Sequence, residues 1–265
     1  MEMAILASGD AARGSRRPIV SNGVSAFLTT YIGGNRYNAA PDGAALPGAE
    51  AVYPMAFLVE QPAGSVVQAH FHEANQFQIV VAGSGRLGTH ALQPLAVHYS
   101  NAYSAYGPIT AGQAGLHYLT LRNGYDRGAR YLPAARAELR GVRRRFREAV
   151  AEAAPIPAPI PARIAVEPLL PAAADGLSAW RYRLPAGAAV TGPDPASGDG
   201  QFWVVTRGGL ARPDGSALRP LSCAFVGPDE PAFAAQAAAD GLELVVVQFP
   251  RGRDHLPEAA PAAGG

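Results

Sequence analysis

The chain has 265 residues, 48% of them apolar, and a formal net charge of +1. A chain of this length can bury one large core or two smaller ones, and its near-neutral charge gives no case for nucleic acid or an anionic membrane as a partner. All 22 basic residues are arginine. The absence of lysine excludes Schiff-base chemistry on lysine, including the usual anchoring of pyridoxal phosphate, and a phosphate-binding-loop lysine.

Cysteine and hydropathy patterns indicate the compartment. The single cysteine, Cys223, excludes an internal disulfide framework and a thiolate metal cluster. The apolar run within Met1–Ala7 is too short for a signal peptide and lacks a basic leader. No segment reaches the length that a bilayer-spanning helix needs. We therefore expect a cytoplasmic protein without a membrane partner.

Short segments rich in β-branched and aromatic residues follow one another along both halves of the chain, and Gly, Pro, Asn or Asp bounds most of them. Such segments predict strands, and many strands without alternating helices favour an antiparallel sandwich or a small barrel. The predicted strands include Ala56–Glu60, Phe77–Val81, Leu95–Tyr99, Leu116–Leu121 and Leu242–Val247.

Two histidines, His70 and His72, lie at i and i+2 in this β-rich first half. Side chains two apart project from the same face of a strand, so one metal ion could bind both imidazoles. Gln76 follows four residues after the second histidine, and Gly64 and Gly83 bound the segment.

A single helix is predicted between the halves, roughly from Ala134 to Ala153. Its apolar residues recur at helical spacing, and arginines occupy the other faces. We interpret these arginines as a solvated face rather than a nucleic-acid patch. The alternating prolines of Pro155–Pro161 predict a stiff linker, and the Pro-, Ala- and Gly-rich tail after Arg253 predicts disorder.

The two halves share landmarks in the same order, at an offset of 120 to 126 residues. This shared order indicates a duplicated unit. The matching pairs are Pro62 to Gly64 with Pro185 to Gly187, Gln76-Phe77 with Gln201-Phe202, Gly107-Pro108 with Gly227-Pro228, and Gly115-Leu116 with Gly241-Leu242.

The histidine segment resembles the first motif of the cupin family, with five residues between Gly64 and His70, three between His72 and Gln76, and six between Gln76 and Gly83. The departure is Gln76, where the family has glutamate. The resemblance implies an all-β fold of two tandem jelly-roll barrels, and one divalent transition metal: Fe, Mn, Ni or Zn. It further implies a mononuclear metal-dependent enzyme, dioxygenase-like, acting on a small organic molecule in the N-terminal barrel.

The resemblance also implies a set of site residues. The metal ligands would be His70, His72, Gln76 and, opening a later strand, His117; the family's second motif fits poorly there, and the repeat places Glu243 at the position of His117. Further side chains could line the cavity and bind a small-molecule ligand, and one of them, His98, could complete the site instead of His117. These candidates are Gln78, His98, Tyr106 and Tyr118.

The second half has a turn-forming run where the first half has its histidines, so we expect a second barrel that serves packing. The absence of the motif glutamate favours an alternative function, a non-catalytic small-molecule binding or sensing cupin. The sequence leaves the oligomeric state open, and a homodimer is one candidate. The expected organisation is an N-terminal arm (1–24), a first barrel (25–132), a helix and Pro-rich linker (133–162), a second, degenerate barrel (163–253) and a flexible tail (254–265).

Overall fold

The computed structural model describes residues 4–34, 47–48, 51–144, 146–152, 159–252 and 255–257, and in these residues strands dominate. One short α-helix, Gly9–Ala12, and three 3-10 segments, Arg13–Ser15, Ala134–Leu139 and Pro195–Ser197, accompany them. The strands are β1 (Ile5–Ala7), β2 (Arg17–Ser21), β3 (Val24–Ile32), β4 (Met55–Gln61), β5 (Val66–Val67), β6 (His70–Phe71), β7 (Gln76–Leu87), β8 (His90–Leu92), β9 (Val97–Ser100), β10 (Ile109–Arg122), β11 (Arg130–Tyr131), β12 (Val142–Arg144), β13 (Glu148–Ala151), β14 (Ala165–Leu170), β15 (Ser178–Leu184), β16 (Ala189–Thr191), β17 (Gln201–Ala211), β18 (Ala217–Leu218), β19 (Cys223–Val226), β20 (Ala234–Gln248) and β21 (His255–Pro257).

Two large antiparallel sheets repeat one plan. In the first half the order is β13-β9-β7-β10-β4-β3-β2, with β8 on β7 and β5 on β10. In the second half it is β1-β19-β17-β20-β15-β14, with β18 on β17 and β16 on β20. The central order β9-β7-β10-β4 thus recurs as β19-β17-β20-β15, which confirms the predicted all-β fold and the duplicated unit.

Repeated glycines lie where the long strands approach each other most closely. Gly83 has a φ of +74°, and a Cβ there would come within 2.1 Å of the Gly115 carbonyl oxygen. In the second half Gly208 has a φ of +71°, and a Cβ would come equally close to the Gly241 carbonyl oxygen. Only glycine accepts both this conformation and this proximity, so the landmarks mark the same bulged crossing in each half.

Each half has an interior core, and a third core joins the halves. The third core is formed by side chains from the outer faces of both sheets, which pack together and leave almost no exposed surface. Its largest members include Phe77, Tyr99, Leu119, Phe202, Phe225 and Phe249. The two sheets therefore pack on each other as in a β-sandwich. The face of each sheet that points away from the other sheet lines the interior of its own half.

Trp203 fills the interior of the second half. Its side chain is 1% exposed, and its indole N–H donates to Gln201 Oε1 at 3.1 Å. A Cβ on Gly192 would lie 2.1 Å from its ring, so the turn-forming segment that replaces the two histidines lies directly against the indole. The second interior is thus packed with a side chain where the first half has a cavity.

The predicted helix from Ala134 to Ala153 is wrong. The segment forms a 3-10 turn over Ala134–Leu139 and then β12 and β13, and β13 extends the first sheet beyond β9. Gly141, at a φ of +75°, breaks the helical path. Pairing of β13 with β9 outweighs the helical spacing of the apolar residues. It satisfies the backbone N–H and C=O groups of β9 that would otherwise have no hydrogen-bond partner at the sheet edge.

The ends of the chain take part in the sheets. β1 pairs with β19 of the second half, and β2 pairs with β3, so the segment predicted as an N-terminal arm belongs to both sheets. β21, in the predicted tail, pairs with β12. Residue 145 of the predicted helix, residues 153–158 of the Pro-rich linker, and residues 254 and 258–265 of the tail lie outside the described residues. Among the helices of the described part, none has both the length and the apolar character needed to cross a membrane.

Candidate active site in the first barrel

A cavity of about 50 Å³ lies inside the first half, between β7, β10 and the segment around β6. A cavity of about 150 Å³ accepts benzene, so this one suits a molecule of only a few non-hydrogen atoms. One end is polar and the rest is mostly apolar. The principal lining side chains are His70, His72, Gln76, Gln78, Tyr106, Tyr118, Arg122, Phe57, Val59 and Val67.

The β2–β3 hairpin and β11 cover the cavity. Ile19 and Ala26 of the hairpin contribute to its wall. The hydroxyl of Ser21 lies 2.8 Å from that of Tyr131, and the Tyr131 ring packs 5.3 Å from the His70 ring, centroid to centroid. This cover limits access of water to the polar end.

Most of the residues predicted from the sequence meet at this cavity. His70, His72 and Gln76 line it, as do three of the four predicted ligand-binding residues, Gln78, Tyr106 and Tyr118. The fourth, His98, is buried directly behind Gln78, with its Nδ1 2.8 Å from Gln78 Oε1.

His117 lies elsewhere. It is partly exposed and lines a separate surface cleft, opposite Glu60 on β4. On β10, His117, Leu119 and Leu121 share the outer face, and the two leucines belong to the core between the sheets. Because alternate residues face opposite ways, the inner face instead carries Tyr118 and the residues at i+2 and i+4 from it. The structure therefore does not bring His117 to His70 and His72.

A directed chain of hydrogen bonds runs through His70. The His70 Nδ1–H donates to the Gln68 carbonyl oxygen at 2.7 Å, which leaves Nε2 as an acceptor for the Tyr106 hydroxyl at 2.9 Å. Gln76 donates its amide N–H to the same hydroxyl oxygen. Arg122 donates to Gln76 Oε1 through Nε at 3.1 Å and Nη2 at 3.0 Å. Every donor in this series of hydrogen bonds faces an acceptor, so the tautomer of His70 and the orientation of the Gln76 amide are fixed.

His72 forms a dyad with Asp126. Its Nδ1 lies 3.0 Å from Asp126 Oδ1, so the ring donates Nδ1–H and turns Nε2 away from the carboxylate. Backbone N–H groups of Glu73 and Gly128 also donate to this carboxylate, each at 2.8 Å. Asp126 is 4% exposed. A buried, fully hydrogen-bonded carboxylate holds an imidazole in one tautomer and one orientation.

Sequence reasoning missed Arg122, which joins the two networks. Its Nη1 lies 3.0 Å from Asp126 Oδ1, and the side chain is buried. Its Nη2 lies 3.0 Å from Nδ1 and 3.3 Å from Nε2 of His72. The two nitrogens of the His72 ring point in different directions within the ring plane. Arg122 Nη2 is almost equally far from both, so it lies over the ring and is not aligned with either nitrogen. The signal in the sequence was alternation along β10, which places Arg122 on the inner face with Tyr118.

Burial sets the protonation states of this cluster. It lowers the pKa of His70 to about 3, and the neighbouring His72 adds to that shift. Burial, and then the Arg122 guanidinium, lower the pKa of His72. Burial raises the pKa of the Tyr106 phenol. Burial also acts to raise the pKa of Asp126, but Arg122 and His72 outweigh it and hold that pKa below its usual range. Near pH 7 the site thus combines neutral imidazoles and phenol with an ionised Arg–Asp pair.

We expect acid to destabilise the protein well above the range in which carboxylates titrate. The unfolded chain binds a proton at His70 with a pKa of about 6.5, whereas the folded chain resists protonation down to about 3, so this stability is complete above pH 6.5 and is lost as the pH falls. Between pH 6.5 and 5, His70 alone removes about 2 kcal/mol from the free energy of unfolding. Urea titrations across this range measure the loss. His70→Gln should reduce the slope of the profile without abolishing it, because burial also lowers the pKa of His72. A flat wild-type profile would contradict the buried neutral state.

No protein-family model matches the sequence, and no curated protein matches it. Solved structures do match. They include the bacterial pirin YhhW from Escherichia coli in complex with nickel(II), at 10% identity over 94% of this chain and 99% of that one, with a TM-score of 0.52. A mutant of salicylate 1,2-dioxygenase from Pseudoaminobacter salicylatoxidans, in complex with gentisate, matches at 11% identity over 93% and 82% of the two chains, with a TM-score of 0.54.

The coconut allergen cocosin matches as well, at 14% identity over 95% and 86% of the two chains, with a TM-score of 0.54. The matched structures are cupin-superfamily proteins, and the chain has the bicupin fold. A pirin, an allergen and a dioxygenase all have this fold, so the fold alone does not indicate which function this chain has.

The donor set at the cavity does not fit a resident divalent metal. Such a site needs at least three protein ligands, and the part of the chain that the structure describes holds no group of three His, Cys, Asp or Glu side chains placed for one. Gln76 offers its amide N–H, not its oxygen, to Tyr106, because Arg122 holds Oε1. The Arg122 guanidinium also contacts both His72 and Gln76, so a cationic side chain already lies beside two of the three expected ligands at the cavity.

Proposed function

We propose that the first barrel is a metal-independent enzyme that moves a proton on a small polar molecule, with His72 as the base. The observation that carries this proposal is the buried dyad, in which Asp126 Oδ1 lies 3.0 Å from His72 Nδ1. The carboxylate holds the ring with Nε2 as its proton acceptor and stabilises the imidazolium that forms when the base accepts a proton. His72 lines the cavity, so a bound molecule comes into reach of it.

The neighbouring side chains supply the rest of an acid–base site. When His72 takes a proton from a carbon next to a carbonyl, the electron pair of the broken C–H bond moves to the carbonyl oxygen. The Arg122 guanidinium, at the same end of the cavity, stabilises that negative charge. Tyr106 stays protonated, and its O–H points to His70 Nε2 beside the same space. Return of the proton from His72 completes an exchange or an isomerisation.

Proton exchange tests this function directly. Pyruvate, hydroxyacetone and glyceraldehyde, incubated with the protein in D₂O, should lose their exchangeable C–H signals in NMR spectra faster than in buffer. Asp126→Asn and His72→Gln should each slow the exchange by about 10²–10⁴-fold, the usual contribution of a positioned base. His117→Gln is the matched control, because this histidine lies outside the cavity, and it should leave the rate unchanged.

Metal analysis separates this function from its competitors. We expect well under one metal ion per chain in the purified protein and no effect of a chelator on the exchange. Activity that a chelator abolishes and added Fe, Mn, Ni or Zn restores would instead support the dioxygenase-like, metal-dependent enzyme that the resemblance implies. Stabilisation by these compounds without any exchange would support a non-catalytic binding cupin.

A further inference from the structure

Three side chains outside the acid–base cluster connect the cavity to the surface. Gln78 lines the cavity, and its Oε1 lies 2.8 Å from Nδ1 of His98, which is 2% exposed. On the other side of that ring, Nε2 lies 3.2 Å from Oε1 of Glu148. Glu148 is partly exposed to solvent on β13, in the segment that joins the two halves. The proposed proton transfer uses none of these three groups.

His98 faces two hydrogen-bond acceptors, but its neutral ring has only one N–H to donate. Burial lowers the pKa of His98, so the ring is neutral near pH 7 and carries a single N–H. That ring faces two acceptors, the amide oxygen of Gln78 at Nδ1 and the carboxylate of Glu148 at Nε2. Nε2 of His98 is buried and has no well-aligned hydrogen bond, so the Glu148 carboxylate beside it receives no proton from the ring in this arrangement.

A half-turn of the Gln78 amide removes this shortage of donors. If His98 carries its proton on Nε2, it donates to the Glu148 carboxylate, a charge-assisted bond stronger than one to a neutral amide. Nδ1 then becomes an acceptor, and Gln78 donates its N–H to it. The two ends of an amide are nearly equal in size, so this turn needs no other movement. It directs Gln78 Oε1 away from His98, and the Gln78 side chain lines the cavity.

We propose that Glu148 is a positioning residue that, through His98, turns the Gln78 amide oxygen into the cavity and so makes the site select ligands that carry a hydroxyl. The substrate class rests on the proposed function. A buried acceptor that meets no donor is costly, so a hydroxyl compound is favoured over the matching carbonyl compound. The substrate is then a small hydroxy-carbonyl or hydroxy acid.

The backbone holds Glu148 in place for this role. β13 pairs with β9, with Glu148 opposite Ser100 and Val150 opposite His98. The preceding Arg147 forms an ion pair with Asp175 of the second half. β13 is thus held by the first sheet and, through Arg147, by the second half, and it supplies the Glu148 side chain to the site of the first barrel.

The tautomer of His98 is the first test, and it needs no ligand. Long-range ¹⁵N–¹H NMR on the full chain should show His98 protonated on Nε2 in the wild type and in Glu148→Asp. Glu148→Gln should shift it toward Nδ1. Glu152→Gln, an exposed acid just beyond β13, is the matched control and should change nothing. A wild-type His98 protonated on Nδ1, or no response to Glu148→Gln, would overturn the proposal.

Ligand preference is the second test. The affinity ratio of lactate to pyruvate, which differ only in hydroxyl against carbonyl, should favour lactate by about tenfold in the wild type and fall by about tenfold or more in Glu148→Gln. An unchanged ratio would overturn the selection step. Failure of proton exchange with the expected tautomers would remove the proposed function but leave the positioning role, whereas exchange with the opposite tautomers would do the reverse.

Discussion

Replacing Arg122 by methionine should lower the free energy of unfolding by about 3–5 kcal/mol, the usual cost of removing one partner of a buried ion pair. The guanidinium contacts Asp126, Gln76 and His72 in a place that water barely reaches. Its loss leaves the Asp126 carboxylate charged and buried, with only uncharged donors around it. Urea unfolding at pH 7.5 measures the change.

Two further variants separate charge burial from general damage. Arg127→Met removes a guanidinium that pairs with Glu73 at a half-exposed position, and it should cost less than about 1 kcal/mol. Adding Asp126→Asn to Arg122→Met removes the stranded charge and should recover part of the lost stability. A loss below 1 kcal/mol for Arg122→Met alone would show that the guanidinium is not part of a desolvated pair.

Trp203→Ala should destabilise the protein by about 3–5 kcal/mol, because it empties the interior of the second barrel. The indole is 1% exposed and packs against Tyr182, Phe233 and Gly192. The backbone around it belongs to long paired strands and has little freedom to collapse. Thermal and urea unfolding give the size of the loss.

Ligand rescue distinguishes an open cavity from a collapsed one. If the space stays open, benzene or indole should raise the melting temperature of Trp203→Ala but not that of the wild type. Trp180→Ala is the matched control, since Trp180 is only partly buried and its removal should cost less. Equal losses for the two tryptophans would contradict the view that the second interior depends on Trp203.

The pattern of residues predicted the fold and several of the side chains that line the candidate cavity, because both depend on local spacing. The i, i+2 histidines had to share a face, and the six residues between Gln76 and Gly83 placed the Gln76 amide on β7 beside them. Tyr106 reaches His70 through a pairing between β6 and a loop residue, which no local pattern encodes. Its role as the hydrogen-bond partner of His70 therefore became visible only in three dimensions.

The misplaced residues follow from tertiary context. His117 was assigned by its order after a turn, yet its apolar neighbours Leu119 and Leu121 already placed it on the face that packs against the second sheet. The same alternation puts Arg122 inside. The helix expected between the halves fails because β9 presents an open edge, and a segment with mixed propensity takes the conformation that pairs with it.

The core between the two sheets explains why the first barrel needs a second barrel that has no paired histidines. The outer face of the first sheet is apolar, because it carries Phe77, Tyr99 and Leu119. Phe202 and Phe225 of the second sheet cover this face. An isolated first half would expose that surface to other chains and to aggregation. The second barrel therefore acts as the permanent subunit of a one-chain dimer, and what it supplies to the first barrel is its outer face.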